Sequence, residues 1–246
     1  MQNFYLKTAN LAWFLLIVSL LLYSLDYLVF GRAGDLVSSF LGNLAFLPVY
    51  VLFVTLIIER ILKEREKLVM MRKMNMAIGV FFSEVGATLL RDFSGFLTDY
   101  AELTVRLAVT MRWEAKDFAD AKDFILNQDF NVDCRGNDLS GLKNFLMGER
   151  QFFLGLLENP NLLEHDEFTD LLWAVFHLME ELAARERLDG LPQSDLDHLA
   201  LDIHRVYKIL MRQWVQYMYH LKSDYPYLYS LAVRTNPMNP DASVEV

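Results

Sequence analysis

Two histidines and a group of carboxylates are the residues of this chain whose types and spacing could do chemistry. His177 lies in "NLLEHDEFTDLLWAVFHLMEEL" and His204 in the segment that follows, on either side of a turn signal at Gly190. Folded as an antiparallel helix pair, that turn sets His177 level with His204, with Glu180 and Glu181 one turn from the first and Asp202 slightly offset on the second. Imidazole and carboxylate groups projected from facing helices are the material of bundle metal sites, and this reading selects His177, Glu181 and His204 as ligands. Periodicity opposes it. The apolar stripes run Phe168, Leu172, Val175, Met179, Leu182 on one helix and Leu196, Leu199, Ile203, Val206, Leu210, Trp214 on the other. Both histidines fall beside these stripes, where ordinary hydrogen bonds satisfy them, and the duplicated Glu-x-x-His pair of carboxylate bundles is missing. His165 and His198 read as exposed and receive no role. The chain has no Ser/His/Asp nucleophile signature, phosphate-cradling glycine loop, CxxC pair or HExxH, so no catalytic residue and no cofactor is assigned.

Two further constellations invite chemical readings. "DFNVDCRGND" opens like a calcium loop, with Asp129, Asn131 and Asp133 at alternate positions. Cys134 stands where the loop needs glycine and Ser140 where it needs a bidentate glutamate, so the acids read as turn and capping residues. "NMAIGVFFSEVGATLL" places Gly79, Ser83, Gly86 and Ala87 along one helical strip. Each glycine in a helix costs about 1 kcal/mol against alanine, so something must approach closely there. The strip reads as an interface, with a helix of the same domain or of a second copy of the chain.

The elements that position these residues begin with two apolar runs. Residues 11–30 ("LAWFLLIVSLLLYSLDYLVF") contain only Ser19, Ser24 and Asp26 as clearly polar members, and residues 38–58 ("SSFLGNLAFLPVYVLFVTLII") carry no charge. A helix of twenty residues spans about 30 Å, the thickness of a bilayer core, so the runs predict a transmembrane hairpin turning at "GRAGDLV". The first run is longer than the 7–15 apolar residues of a signal core and reads as an anchor. Asp26 and Asn43 lie at matching depth on either side of the turn, an intramembrane polar pair, although Asp26 between Tyr23 and Tyr27 also suits the interfacial aromatic belt. Pro48 predicts a kink in the second span. No TVGYG filter is present, and the short turn leaves no room for a re-entrant loop.

Charge orients the hairpin. Residues 59–73 hold Arg60, Lys63, Arg65, Lys67, Arg72 and Lys73, whereas the turn holds only Arg32, which predicts a cytoplasmic-membrane protein with both termini inside. From residue 74 onward 15 basic residues face 27 acidic ones, a balance of −12. An acidic body cannot displace counterions from a phosphate backbone, which excludes nucleic acid as a partner. The single cysteine, Cys134, allows no intramolecular disulfide.

Beyond the spans the apolar spacing is helical throughout, and the fold class is all-α: a transmembrane helical hairpin followed by a cytoplasmic helical bundle. The second span continues without a breaker to about residue 90. Further helices are predicted at 95–110, 117–127, 138–158, 166–188 and 194–223, with Asp138, Asp166 and Ser194 as N-caps and a short helix in "YPYLYSLAV". The domains are therefore 1–58 for the hairpin, 59–234 for the helical domain, and 235–246 for a tail that two prolines and no apolar period predict to be disordered.

"NMAIGVFFSEVG", "LENPNLLEHDEFTDLLWAVFHLMEEL" and "DYPYLYSLAVRTNP", together with the hairpin, resemble an uncharacterised group of prokaryotic membrane proteins with two spans and a helical cytoplasmic domain. The resemblance implies a class and a membrane setting, and no activity. Taken together, the features favour a non-enzymatic, membrane-anchored and self-associating interaction module. The rivals are a metal-dependent enzyme built on His177, Glu181 and His204, and an oligomeric channel or transport component.

Overall fold

A computed structural model describes residues 17, 19–21, 24, 25, 27, 28 and those from Ala33 onward, apart from 99, 164, 240, 241, 244 and 246. The described residues between 17 and 28 are helical. From there the elements are α1 (Ala33–Phe81), a π-helical turn (Phe82–Gly86), α2 (Ala87–Ser94), α3 (Tyr100–Leu107), α4 (Ala115–Asn127), α5 (Leu139–Gly148), α6 (Arg150–Leu157), α7 (Pro160–Leu163), α8 (Asp166–Ala184), α9 (Gln193–Asp224) and α10 (Pro226–Arg234). No strand occurs among the described residues, and Leu97 and Val132 form an isolated antiparallel bridge. The chain divides into two compact units, Met1–Lys67 and Leu68–Val246.

In the first unit, α1 starts at Ala33, inside the segment expected to turn. Asp35, Leu36 and Val37 contain no breaker, and Gly34, which costs about 1 kcal/mol against alanine, is tolerated in the first turn, so the helix reaches further back than the apolar run. Pro48 lies within α1. Every side chain described between Val37 and Ile58 is exposed, and this helix is long and apolar enough to cross a membrane, with a mean hydropathy of 2.2 over its apolar window and none of that window buried. Asn43 sits on this stretch, whereas Asp26 lies outside the described residues, as does most of the first apolar run. The charged turn that follows is laced by exposed ion pairs, Lys63 to Glu59 at 2.7 Å and Arg60 to Glu64 at 3.2 Å, each at the four-residue spacing that supports a helix.

In the second unit the long α9 is the central element. Leu199, Ile203, Val206, Leu210 and Trp214 are buried on it, facing Phe168, Leu172, Val175, Met179 and Leu182 of α8. The two stripes are those that the sequence spacing picks out. The loop between the helices turns at Gly190, whose φ of +73° is a left-handed conformation that glycine adopts without a Cβ clash. An aromatic cluster closes the core: Phe81 stands edge-on to Phe168 at 5.2 Å and to Phe153 at 6.3 Å, and Phe82 meets Trp214 at 5.2 Å and stacks on Tyr217 at 5.1 Å. Aromatic pairs in these geometries contribute about 0.5–1.5 kcal/mol each beyond area burial.

Several boundaries differ from the sequence expectation for local reasons. The helix expected over 138–158 breaks at Glu149, just after Gly148 ends α5. The helix expected from 95 begins only at Tyr100, because Phe96 and Thr98 hydrogen-bond across to Asp133 and Asn131. Asp138 caps α5 as expected, accepting from the Gly141 N–H at 2.7 Å. At α8 the cap is His165 and not Asp166: its Nδ1 accepts from the Phe168 N–H at 3.0 Å. Pro192, not Ser194, occupies the cap position of α9. The tail expected to be disordered from 235 begins packed. Met238 is fully buried beneath the Tyr207 hydroxyl, and the buried Asn236 donates to the Leu107 carbonyl at 3.3 Å.

Candidate functional site

Asp202 sits on the buried side of α9, one turn after Leu199 and one before Val206, and only 3% of its surface is exposed. His198, one turn earlier on α9, and His177 on α8 both bring Nε2 to 3.5 Å from Asp202 Oδ2. That oxygen makes no hydrogen bond, while Oδ1 faces Arg205 Nη1 at 3.3 Å. The three donor atoms lie within 4.8 Å of one another. Glu181, one turn after His177, reaches to 3.6 Å from His198 Nε2 and is held by Arg185 at 2.8 Å. The hydrogen bond from Arg185 keeps the Glu181 carboxyl below the usual range, so it is ionised at neutral pH.

His204 does not belong to this group. Its Nε2 lies 3.4 Å from the exposed Asp129 Oδ1 and makes no hydrogen bond. The antiparallel hairpin sets His177 and His204 at similar heights, but height is only half of a contact. Asp202 faces α8, and two residues further along the helix is about 200° further around it, which turns His204 away. Of the three residues selected from the sequence, the structure brings together His177 and Glu181, and replaces His204 with His198 and Asp202. Burial lowers the His204 pKa, partly offset by Asp129.

The small-residue strip is met within the chain. A Cβ on Gly79 would lie 3.5 Å from the Tyr217 ring, an ordinary contact. A Cβ on Gly86 would lie 2.6 Å from Phe82 and 2.7 Å from Phe81, two rings locked in the aromatic cluster. The π-helical turn admits one extra residue per turn, and glycine accommodates the crowding of those rings. Ser83 is exposed and donates to the Val80 carbonyl at 3.0 Å, and Ala87 lines an apolar groove with Leu228 and Leu231.

Comparison with known proteins places this arrangement. Residues 70–234 match the family described as "Uncharacterized protein MJ1433, C-terminal helical domain", and residues 3–62 match the one described as "MJ1433, N-terminal helical domain". A curated relative, "Uncharacterized protein MJ1433" from Methanocaldococcus jannaschii, is 48% identical over 229 residues, which cover 92% of this chain and 90% of that protein. The chain belongs to the MJ1433 family. No solved structure matches.

In this member of the MJ1433 family a polar cavity of about 620 Å³ opens among α1, α4, α8 and α9. Its ionisable groups are engaged with one another. Glu167 accepts from Arg212 at 2.6 Å and from the buried Gln213 at 3.0 Å, His220 pairs with Asp224 at 2.8 Å and with Asn75 at 3.2 Å, and Lys122 bonds Gln216. Burial lowers the Lys122 pKa. This cavity is a polar, internally paired cleft, whereas the Asp202 site leaves a buried carboxylate oxygen without a donor. The sequence signal for the latter was present: His177 and Glu181, like His198 and Asp202, stand four residues apart, and Asp202 lies at helical spacing from both Leu199 and Val206, on the side of the apolar stripe.

Proposed function

We propose that this MJ1433-family chain is a membrane-anchored helical module: two N-terminal apolar runs cross the bilayer with both termini on the cytoplasmic side, and the acidic helical domain acts there. One observation carries the reading. The segment 38–58 is charge-free and its described side chains are uncovered, a far larger continuous apolar surface than soluble monomers leave in water. Lipid is the cover that fits its length, and the basic residues from Arg60 to Lys73 suit the cytoplasmic edge of a span. Extraction of membranes tests it: the protein stays with the pellet in alkaline carbonate and is released by detergent. Release by carbonate alone refutes anchoring. On a Cys134→Ser background, Asp35→Cys should react with an impermeant maleimide from outside intact cells, and Lys63→Cys should not.

Self-association completes the reading on narrower support. Gly79 and Gly86 answer to Tyr217, Phe81 and Phe82 of the same chain, which leaves the exposed Met76 and Val80 on that stretch for a second copy. Light scattering on the detergent-solubilised protein should give a multiple of the 28.7 kDa chain mass after detergent is subtracted, and a monomer removes self-association from the proposal.

A further inference from the structure

We propose that His177 Nε2, His198 Nε2 and Asp202 Oδ2 bind one divalent transition-metal ion, of which zinc is the first candidate, with a coordination position open to solvent. The argument begins with distance. Nε2 to Oδ2 is 3.5 Å for both histidines, longer than the 2.7–3.2 Å of an N–H···O hydrogen bond. In a tetrahedral site with metal–ligand bonds of about 2.1 Å, neighbouring ligand atoms stand about 3.4 Å apart. Two of the three edges already have that length. The third, between the imidazoles, is at most 4.8 Å, so it closes with a movement of about 1.4 Å or less. Both imidazoles are about half exposed, at 47% and 49%, and are free to make it.

Burial supplies an independent second observation. Asp202 is 97% removed from solvent, and its Oδ2 points at the two imidazoles without accepting a hydrogen bond. An unsatisfied buried carboxylate oxygen costs more than an unmade surface contact, and a shared cation would satisfy it. Arg205 engages the other oxygen, which fixes the carboxylate and leaves Oδ2 for the ion. The Glu181 carboxylate stands on the same side, 3.6 Å from His198 Nε2. Two imidazoles and one carboxylate select zinc and its first-row neighbours over magnesium and calcium, which require oxygen ligands. The ligand residues belong to α8 and α9 of one compact unit, so the site stands whether or not the chain is membrane-anchored.

The test is calorimetric titration of tag-free, full-length protein in detergent, stripped with chelator, with zinc chloride, and with cobalt(II) as an optical probe. One equivalent per chain is expected, with visible cobalt bands of tetrahedral intensity. His177→Ala and His198→Ala should each weaken binding at least about 100-fold, and His204→Ala should leave it unchanged. Circular dichroism of the two alanine variants checks that their folds persist, as expected from the exposure of both side chains. Asp202→Asn is the supplementary variant, and should weaken zinc while keeping the helical spectrum. Absence of stoichiometric binding overturns the proposal. So does binding that survives His177→Ala and His198→Ala, or that His204→Ala abolishes.

Discussion

Alanine at Gly79 should stabilise the domain and alanine at Gly86 should not, although the two positions are seven residues apart on one helical strip. Both substitutions gain helix propensity, about 0.8–1.0 kcal/mol in a helix interior. At Gly79 the added Cβ meets the Tyr217 ring at 3.5 Å, within van der Waals contact, so the gain is kept and the domain is stabilised by about 1 kcal/mol. At Gly86 the Cβ falls 2.6 Å from Phe82 and 2.7 Å from Phe81. Those rings cannot turn aside, because Phe81 is wedged against Phe153 and Phe168, and Phe82 against Trp214 and Tyr217. Overpacking of this kind costs about 1–3 kcal/mol, which outweighs the propensity gain and leaves Gly86→Ala neutral to about 2 kcal/mol destabilised. For a domain of this size 1 kcal/mol moves Tm by about 2–4 °C. Thermal unfolding of the full-length protein in detergent, followed by near-ultraviolet circular dichroism, therefore expects Gly79→Ala above the parent and Gly86→Ala at or below it. If Gly86→Ala melts as high as Gly79→Ala, the aromatic cluster is not the reason for the glycine. If Gly79→Ala destabilises and also lowers the oligomer mass, a second copy packs there, and the assignment of that glycine to Tyr217 fails.

Three further outcomes follow from single residues. Burial depresses the His204 pKa below its unfolded value of about 6.5, so the unfolded chain takes up the proton first; stability present above that pH is lost as pH falls toward the folded value. Between pH 7.5 and 5 the parent should lose more Tm than His204→Gln, and equal losses would show that His204 is not the group responsible. The Cys134 thiol is buried and its pKa is pushed up to about 11, so a thiol reagent at pH 8 should label the native protein at least about tenfold more slowly than the denatured one; equal rates would contradict the burial. Met238→Ala should cost about 2–5 kcal/mol in denaturant titration, and a cost below about 0.5 kcal/mol would mean that the segment after α10 is not part of the core.

Much of the helical domain was legible because its stripes obey a simple period: Phe168 to Leu182 and Leu199 to Trp214 could be read directly from spacing. The site was only half legible. The turn at Gly190 determines which residues of α8 and α9 share a height, and His177 with His204 satisfies that condition. Azimuth is fixed by which side of α9 packs on α8, and Asp202 carried that information as an acid placed between Leu199 and Val206. His198 then follows one turn away on the same side. The burial of Met238 had no local signal at all, since it depends on long-range contacts, its own with Tyr207 of α9 and that of Asn236 with Leu107 of α3. The π-helical turn was equally silent, because it answers to the crowding of Phe81 and Phe82 against three other helices.

The uncovered stretch from Val37 to Ile58 has a consequence for the order in which the protein is made. It precedes the helices from α2 onward in the chain, so it leaves the ribosome before they exist, and none of its apolar window is buried among the described residues. Whatever covers it has to be in place early. A delay at that step exposes the stretch to like segments of other nascent chains, and aggregation then competes with folding. A lesion there, such as a charge in place of Val54, would be seen as missing protein and not as inactive protein, because quality control removes chains whose domain is sound but whose apolar stretch has found no cover.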